Sequence, residues 1–159
     1  MEEIALKVPE GLFAIINPLM KFLLRSPLHG FWSDSLMLIT FAGRKSGRIY
    51  TTPVRFIRSG EAILCFTSAH NQWWRNMRGG SEVRLLVGGE EGTYYAEARR
   101  EPDETKKLLT HYLGLFPQDA VYHDIRLHKD KSLNPEDLEH AVRKAVVVEA
   151  TVARTPADP

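Results

Sequence analysis

The chain has 159 residues and a mass of 18.1 kDa, a size typical of one domain with its own hydrophobic core. Its 21 lysines and arginines nearly balance its 20 aspartates and glutamates, which argues against nucleic acid as the main partner. A single cysteine, Cys65, excludes an internal disulfide, and its apolar neighbours predict a buried thiol in a reducing compartment. No basic signal-peptide start precedes the apolar residues and no apolar run is long enough to span a membrane, so we expect a cytoplasmic protein.

The first predicted element is a strongly apolar helix over residues 12–24, which Pro18 should start, kink or split. Apolar residues surround nearly the whole helix. We favour packing under the domain, and two other placements stay open: contact with a partner subunit in a homodimer, or a peripheral membrane contact with Lys21 and Arg25 toward the headgroups. Residues 1–33 are therefore predicted to form an N-terminal helix and loop.

Residues 34–100 are predicted to form barrel strands. Short runs rich in β-branched and aromatic residues, at 36–41, 49–58, 62–68 and 82–87, alternate with turn signals at 43–47, 59–60 and 88–92. A short inserted helix over residues 71–79, ended by Gly79 and Gly80, interrupts these consecutive antiparallel strands. A meander with one inserted helix is a pattern typical of a barrel.

The remaining third predicts a helical segment over residues 101–145 and a closing strand over 146–153. One helix should cover residues 102–113. A second should begin after Asn134, where an N-cap residue precedes Pro135 and an acidic first turn, and run to about Lys144. The β-branched run 146–152 supplies the last strand, so residues 1–153 form one domain and 154–159 a tail.

The run Gly43-Arg44-Lys45-Ser46-Gly47-Arg48 is the strongest chemical signal in the sequence. Glycines expose backbone N–H groups and arginine adds a fork of donors, so this segment is suited to bind a phosphate. A charged hairpin loop with no ligand is the alternative interpretation.

Four stretches together resemble the deazaflavin-dependent nitroreductase family. They are Leu23-Leu24-Arg25-Ser26-Pro27-Leu28-His29, the segment from Leu38 to Gly47 with Gly-Arg-Lys-Ser-Gly at its end, Thr51-Thr52-Pro53-Val54, and Trp73-Trp74-Arg75-Asn76-Met77-Arg78. The resemblance implies an α+β, mainly β fold: a split β-barrel of the pyridoxamine-phosphate-oxidase-like, FMN-binding type. It also implies that the protein binds coenzyme F420, an 8-hydroxy-5-deazaflavin, and transfers a hydride to a quinone, a nitro compound or another small electrophilic acceptor.

The resemblance further implies which residues bind the cofactor. Its phosphate or acidic tail would lie against Arg44, Lys45 and Ser46, with Gly47 allowing close backbone approach. The ring system would lie beside Thr51, Thr52, Pro53 and Val54, and would be covered from another side by Ser68, Ala69, Trp73, Trp74, Asn76 and Arg78. Ordinary strand formation is the alternative role for the threonines, and core packing for the tryptophans.

Two departures from the family pattern leave alternatives open. Tyr50 stands where many relatives have an arginine before Thr-Thr-Pro, so a second phosphate-binding cation is missing at this position. Arg48 could supply that cation, because residues two apart lie on the same face of a strand. With this departure, FMN stays open as the cofactor. Residues 113–144 are longer than the resemblance leads us to expect, and could form a lid over an acceptor pocket or a dimer contact.

The sequence contains no familiar motif that identifies catalytic residues. It contains no Ser-His-Asp signature, paired carboxylates, dinucleotide loop or P-loop, and its scattered histidines predict no metal site. Candidate proton donors from the lid-like segment are Tyr112, Tyr122 and His123. A non-catalytic protein of the same barrel type, binding a cofactor, haem or lipid, is the alternative function.

Overall fold

The computed structural model describes residues 35–153. The predicted N-terminal helix and loop, with the proposed membrane or subunit contact, lie outside the described residues, and so does the tail. Within residues 35–153, no helix combines the length and the apolar character needed to cross a membrane.

Strands and helices of the described residues follow the predicted order. The strands are β1 Leu36–Ala42, β2 Ile49–Arg55, β3 Ile57–Ser59, β4 Ala62–Ser68, β5 Ser81–Val87, β6 Glu90–Arg99 and β7 Ala145–Val152. The α-helices are α1 Pro102–Leu115 and α2 Pro135–Lys144, and two 3-10 helices cover Trp73–Met77 and Pro117–His123.

Two predicted segments differ from the structure by more than two residues. The single strand expected over residues 49–58 is broken at Phe56, whose backbone N–H donates to the Ser35 carbonyl at 2.9 Å. The turn expected over residues 88–92 contains only Gly88 and Gly89. Their φ angles of 59° and 82° suit a two-residue turn of type I′, in which both residues need positive φ, so β6 begins directly at Glu90.

The strands pair in the order β2-β1-β5-β6-β7-β4-β3 with antiparallel neighbours, so the predicted consecutive meander is wrong. Hairpins do form between β1 and β2, β3 and β4, and β5 and β6, but β7 inserts between β6 and β4. The edge strands β2 and β3 are separated in sequence by Phe56 alone. The sheet must therefore curl until its two edges meet, which makes a barrel that is open along one seam.

Two apolar clusters occupy the two faces of β4 and β7. Ile63 and Cys65 of β4 point into the barrel interior with Val146 and Val148 of β7, and the predicted buried thiol is confirmed at 1% exposure. The alternate residues of both strands pack outward against the helices. Leu64, Phe66, Ala145 and Val147 share that cluster with Leu109, Leu113 and Val142. The helical segment therefore covers the outside of the barrel beside the seam.

Candidate functional site

The Gly43–Arg48 run forms a tight loop between β1 and β2. The backbone N–H of Gly43 donates to the Arg48 carbonyl at 2.8 Å, and that of Gly47 donates to the Gly43 carbonyl at 2.9 Å. Gly47 has a φ of 70°, a conformation that favours glycine. Ser46 Oγ accepts from the Arg48 backbone N–H at 3.2 Å. The loop thus holds its shape with its own hydrogen bonds and leaves Arg44 and Lys45 exposed to solvent.

Hydrogen bonds tie this loop to the Trp73–Met77 helix. Asn76 Oδ1 accepts from the Arg44 backbone N–H at 2.9 Å, and Arg44 Nη1 donates to the Arg75 carbonyl at 2.9 Å. Asn76 Nδ2 donates to the Trp73 carbonyl at 2.9 Å, which fixes the orientation of the amide. Asn76 therefore positions the loop against the helix.

A basic groove of about 710 Å³ separates the loop from the helix. Its walls include Arg44, Lys45, Ser46, Trp73, Asn76 and Arg78, six of the residues that the sequence predicted as cofactor contacts. Arg75 also lines the groove and adds a cation that the sequence analysis did not single out. The structure thus brings together the charged loop and the tryptophan-bearing helix.

Tyr50 and Arg48 differ in their relation to the basic groove. Tyr50 lines the basic groove and stacks on Phe41, with ring centroids 5.7 Å apart. Arg48 is exposed and is not among the groove-lining residues, so the further cations of the groove are Arg75 and Arg78.

Trp73 and Trp74 are both 2% exposed and both belong to the barrel core. Trp73 also borders the basic groove, whereas Trp74 does not. The indole nitrogens of both residues are buried, and neither has a hydrogen-bond partner among residues 35–153. Packing therefore accounts for much of their placement, and Trp73 combines it with a position at the groove.

Strand β2 connects the basic groove to a second cavity. It lies at an edge of the sheet and pairs with β1, and an edge strand is a position that tolerates Pro53. The Thr51 hydroxyl lies 2.8 Å from that of Thr40 on β1, and Thr52 is buried at 4% exposure. The Thr51 side chain is thus within hydrogen-bond distance of Thr40, and the Thr52 side chain is buried in the fold.

An inner pocket of about 100 Å³ lies between β2, the end of β4 and the Pro117–His123 helix. Predicted residues that line it are Pro53, Val54, Ser68, Tyr112, Tyr122 and His123. Ala69 is not among its lining residues; its backbone N–H donates to the Lys144 carbonyl at 2.6 Å. Nine of the fifteen predicted cofactor contacts therefore line this pocket or the basic groove. The six that line neither are Gly47, Arg48, Thr51, Thr52, Ala69 and Trp74.

A buried carboxylate, Asp119, organises the wall of the inner pocket. Asp119 is 3% exposed, and its Oδ2 accepts from Arg55 Nε and from the Tyr112 hydroxyl, each at 2.5 Å. The Arg55 guanidinium also donates to Ser35 Oγ at 2.8 Å and lies over the Phe116 ring, 4.6 Å from its centroid. Because the Tyr112 hydroxyl hydrogen is directed at Asp119, this tyrosine is better placed to shape the pocket than to donate a proton to an acceptor.

The other two candidate donors differ in their surroundings. Burial lowers the pKa of His123 to about 4, an effect that outweighs the nearby charges of Asp119 and Asp124. His123 is therefore neutral near pH 7 and carries only one N–H hydrogen. Tyr122 lines the same pocket and keeps 46% of its surface exposed, so it contacts both the pocket and solvent.

Sequence reasoning missed Arg55, Asp119 and Asn71, which all line the inner pocket. Asn71 Nδ2 donates to Thr67 Oγ1 at 2.8 Å. One signal could have identified Asp119: it is a carboxylate between apolar residues Phe116 and Val121, where a buried charge requires a partner. Nothing local indicated that Arg55 is this partner.

Comparison with known proteins identifies one matching family. The model of the F420H(2)-dependent quinone reductase family matches residues 27–131, more than half of the chain. No protein of curated function matches the sequence significantly.

Solved structures are similar in fold at low sequence identity. A Listeria innocua protein assigned as a pyridoxamine 5′-phosphate oxidase is 11% identical with a TM-score of 0.50, over 80% of this chain and 90% of that chain. A protein described as a domain-swapped dimer is 15% identical with a TM-score of 0.51, over 87% and 98% of the two chains. An F420 reductase is 16% identical with a TM-score of 0.43, over 84% and 93%. The first of these structures confirms the predicted split-barrel fold class.

Proposed function

Because this chain belongs to the F420H(2)-dependent quinone reductase family, and is therefore an oxidoreductase that uses coenzyme F420, we propose that it transfers a hydride to a small electrophilic acceptor such as a quinone or a nitro compound. The observation that carries the proposal is the basic groove, in which the charged loop faces the tryptophan-bearing helix. The chemistry of this groove fits the charged end of such a cofactor.

The anionic end of the cofactor would bind at the loop. Arg44 and Lys45 are exposed cations at the groove, and the backbone of Arg44 is already fixed by Asn76. Charge-assisted hydrogen bonds to a phosphate are among the stronger polar contacts, and a fixed loop loses little freedom when they form. The phosphate would therefore be held by Arg44, Lys45 and the Ser46 hydroxyl.

The planar end would extend along β2 toward the inner pocket. Tyr50 lines the groove and Val54 lines the pocket, and four residues of extended strand span about 13 Å. Because β2 is an edge strand, its outward backbone groups can contact the ring edge over this distance. This spacing supports a ligand whose charged end binds in the groove and whose flat end reaches toward the pocket.

The chain's own residues would position the acceptor and supply a proton. Bound reduced F420 supplies two electrons and a hydrogen as hydride. Tyr122 is the donor we favour, since its hydroxyl can give a proton to the developing negative charge on the acceptor oxygen and regain one from solvent. A cavity of about 200 Å³ that Tyr122 and His123 share with the inner pocket offers a route for this exchange. Apolar walls and the Pro117–His123 helix would exclude other water.

Titration of the purified protein with F420 and with FMN tests the cofactor site. Each ligand has its own visible spectrum and fluorescence, so affinity and identity are read in one experiment. We expect Arg44→Ala together with Lys45→Ala to weaken F420 binding at least tenfold, because two charge-assisted contacts are lost. The thermal midpoint should not change, since exposed loop charges contribute little to stability. Unchanged affinity in this variant would contradict the proposed site, and tighter binding of FMN than of F420 would favour the FMN-dependent alternative.

Replacement of Tyr122 by phenylalanine tests the proton donor. We expect quinone turnover to fall about 100-fold while F420 affinity is retained, because general acid catalysis typically contributes 10²–10⁴. Turnover equal to that of the unchanged protein would remove Tyr122 from this role.

A homodimer is part of the proposal for the assembly. One solved structure of similar fold is described as a domain-swapped dimer. Sedimentation of the full chain with and without F420 tests this, and a single monomeric species in both conditions would contradict it.

A further inference from the structure

The inner pocket has a positively charged wall. Among the described residues that line it, Arg55 is the one cation, and 25% of its side chain is exposed. Asp119 is the one carboxylate, and its side chain is only 4% exposed. His123 is neutral near pH 7 because burial lowers its pKa to about 4. A molecule that enters the pocket therefore meets the cation of the Arg55–Asp119 pair and not the anion.

The adjoining cavity of about 200 Å³ adds little net charge. Its walls include Asp124, Asp137 and Lys144. Asp137 accepts two hydrogen bonds from the Arg126 guanidinium, at 2.7 and 3.1 Å, so its charge is compensated. The charges of Asp124 and Lys144 are opposite. Arg55 is therefore the local charge that can select between ligands of the inner pocket.

Three contacts from different parts of the fold fix the Arg55 guanidinium. Its Nε donates to Asp119 of the Pro117–His123 helix at 2.5 Å, and its Nη1 donates to Ser35 Oγ, just before β1, at 2.8 Å. The ring of Phe116, which follows α1, lies 4.6 Å from the guanidinium carbon. A side chain that is already held in this way loses little freedom when a ligand binds to it.

The same guanidinium has unused hydrogen-bond donors. An arginine carries five N–H hydrogens, and the contacts with Asp119 and Ser35 use two of them. Within residues 35–153 the Arg55 side chain donates no other hydrogen bond. Because a guanidinium is planar and presents its donors as a fork, a carboxylate is the group that matches it best.

We propose that the hydride acceptor of this protein is anionic: a small conjugated compound with a carboxylate that binds to Arg55. The inference rests on the proposed function, because it takes the inner pocket as the acceptor site. A pocket of about 100 Å³ is smaller than the roughly 300–1,000 Å³ of most ligand sites, which suits a compound of one ring. The carboxylate itself is unchanged by the reaction. The acceptor gains a hydride from reduced F420, which is oxidised, and a proton from Tyr122.

Binding of benzoate and benzamide tests the charge preference without turnover. The two probes have nearly the same shape, and calorimetric titration gives their dissociation constants. We expect benzoate to bind about tenfold more tightly than benzamide. Arg55→Gln together with Asp119→Asn removes both charges of the pair and should abolish this preference. Arg58→Gln removes the same charge from an exposed arginine on β3 outside the pocket and should leave the preference unchanged.

Turnover of two nitro compounds tests the same preference during reduction. 4-Nitrobenzoate and 4-nitrobenzamide differ only in charge and in the group that carries it. With reduced F420, we expect a KM about tenfold lower for 4-nitrobenzoate, and no difference in KM after Arg55→Gln with Asp119→Asn. The effect should appear in KM because the carboxylate contact is made equally before and during hydride transfer.

The outcomes separate this inference from the proposed function. Equal binding of benzoate and benzamide, or a preference that survives the double substitution, overturns the role of Arg55. If F420 binds and neutral nitro compounds are reduced without any preference for the anion, the proposed function stands and this inference fails. If benzoate is preferred but F420 does not bind, the proposed function fails, and with it the assignment of an anionic acceptor.

A second variant covers the case in which the double substitution prevents folding, which thermal unfolding detects. Arg55→Lys keeps a positive charge beside Asp119 but removes the planar fork of donors. We expect it to weaken benzoate binding about threefold to tenfold and to change benzamide binding less. Unchanged benzoate affinity in this variant would also overturn the inference.

Discussion

Replacing Asp119 with alanine tests whether the buried network fastens the Pro117–His123 helix to the barrel. The change removes the Asp119 carboxylate oxygen that accepts from the hydroxyl of Tyr112, a residue only 5% exposed, and the loss of this buried hydrogen bond costs about 1–3 kcal/mol. It also removes the carboxylate from Arg55, whose side chain keeps 25% exposure. Loss of one partner from a fully buried ion pair costs about 3–5 kcal/mol. Because the Arg55 side chain is partly in contact with water, the cost of leaving it without its carboxylate falls to about 1–2 kcal/mol. We therefore expect Asp119→Ala to lower the free energy of unfolding by about 3 kcal/mol.

Urea unfolding followed by tryptophan fluorescence and circular dichroism measures this loss. The matched control is Glu139→Ala, which removes an exposed carboxylate from its ion pair with Lys106 on α1 and should cost less than about 0.5 kcal/mol. Substitution of both partners, Asp119→Leu with Arg55→Met, should recover part of the stability, because no unpaired charge remains. The reasoning would be refuted if Asp119→Ala and Glu139→Ala lowered the free energy of unfolding by equal amounts, both below about 1 kcal/mol.

Three further changes test other parts of the structure. Burial lowers the pKa of His123 from 6.5 to about 4. In the pH window between these two values the unfolded chain takes up a proton on this histidine, whereas the folded chain does not. Stability should therefore fall by about 2–3 kcal/mol as the pH drops through the window, and His123→Gln should flatten this part of a plot of urea midpoint against pH. Gly80 has a φ of 94°, and an added Cβ would lie 1.6 Å from the Tyr95 hydroxyl oxygen; Gly80→Ala should lower the thermal midpoint more than Gly79→Ala, which has a φ of 73° and open space. Asn76→Ala removes the acceptor of the Arg44 backbone N–H and should raise the F420 dissociation constant about threefold to tenfold. An unchanged constant would mean that the loop holds its position without this bond.

Local signals in the sequence predicted the elements well. Helix α2 begins at Pro135 behind Asn134, whose side chain accepts from the Asp137 backbone N–H at 3.1 Å, and it ends at Lys144 as expected. Strand β4 has the predicted bounds. Such signals are carried by neighbouring residues, so one sequence is enough to interpret them.

Pairing between distant segments could not be derived in this way. The insertion of β7 between β6 and β4 depends on which edges meet in three dimensions, and short strand patterns carry no information about it. The same limit applies to the site. The loop and the tryptophan-bearing helix were found through their motifs, whereas Arg55 and Asp119 are 64 residues apart and neither belongs to a motif. Arg75 was missed because its position depends on how the helix sits against the loop.

The position of β7 has a consequence for how the protein is made. A ribosome synthesises residues 145–152 after the other six strands described here, yet this strand lies between β6 and β4 in the sheet. Until it emerges, the strands of a nascent chain can form only two partial sheets, β2-β1-β5-β6 and β4-β3. The edges of β6 and β4 that β7 will occupy then have unpaired backbone groups that can pair with another chain. Completion of the barrel, and with it the wall of the inner pocket at the end of β4, must therefore wait until β7 has been synthesised.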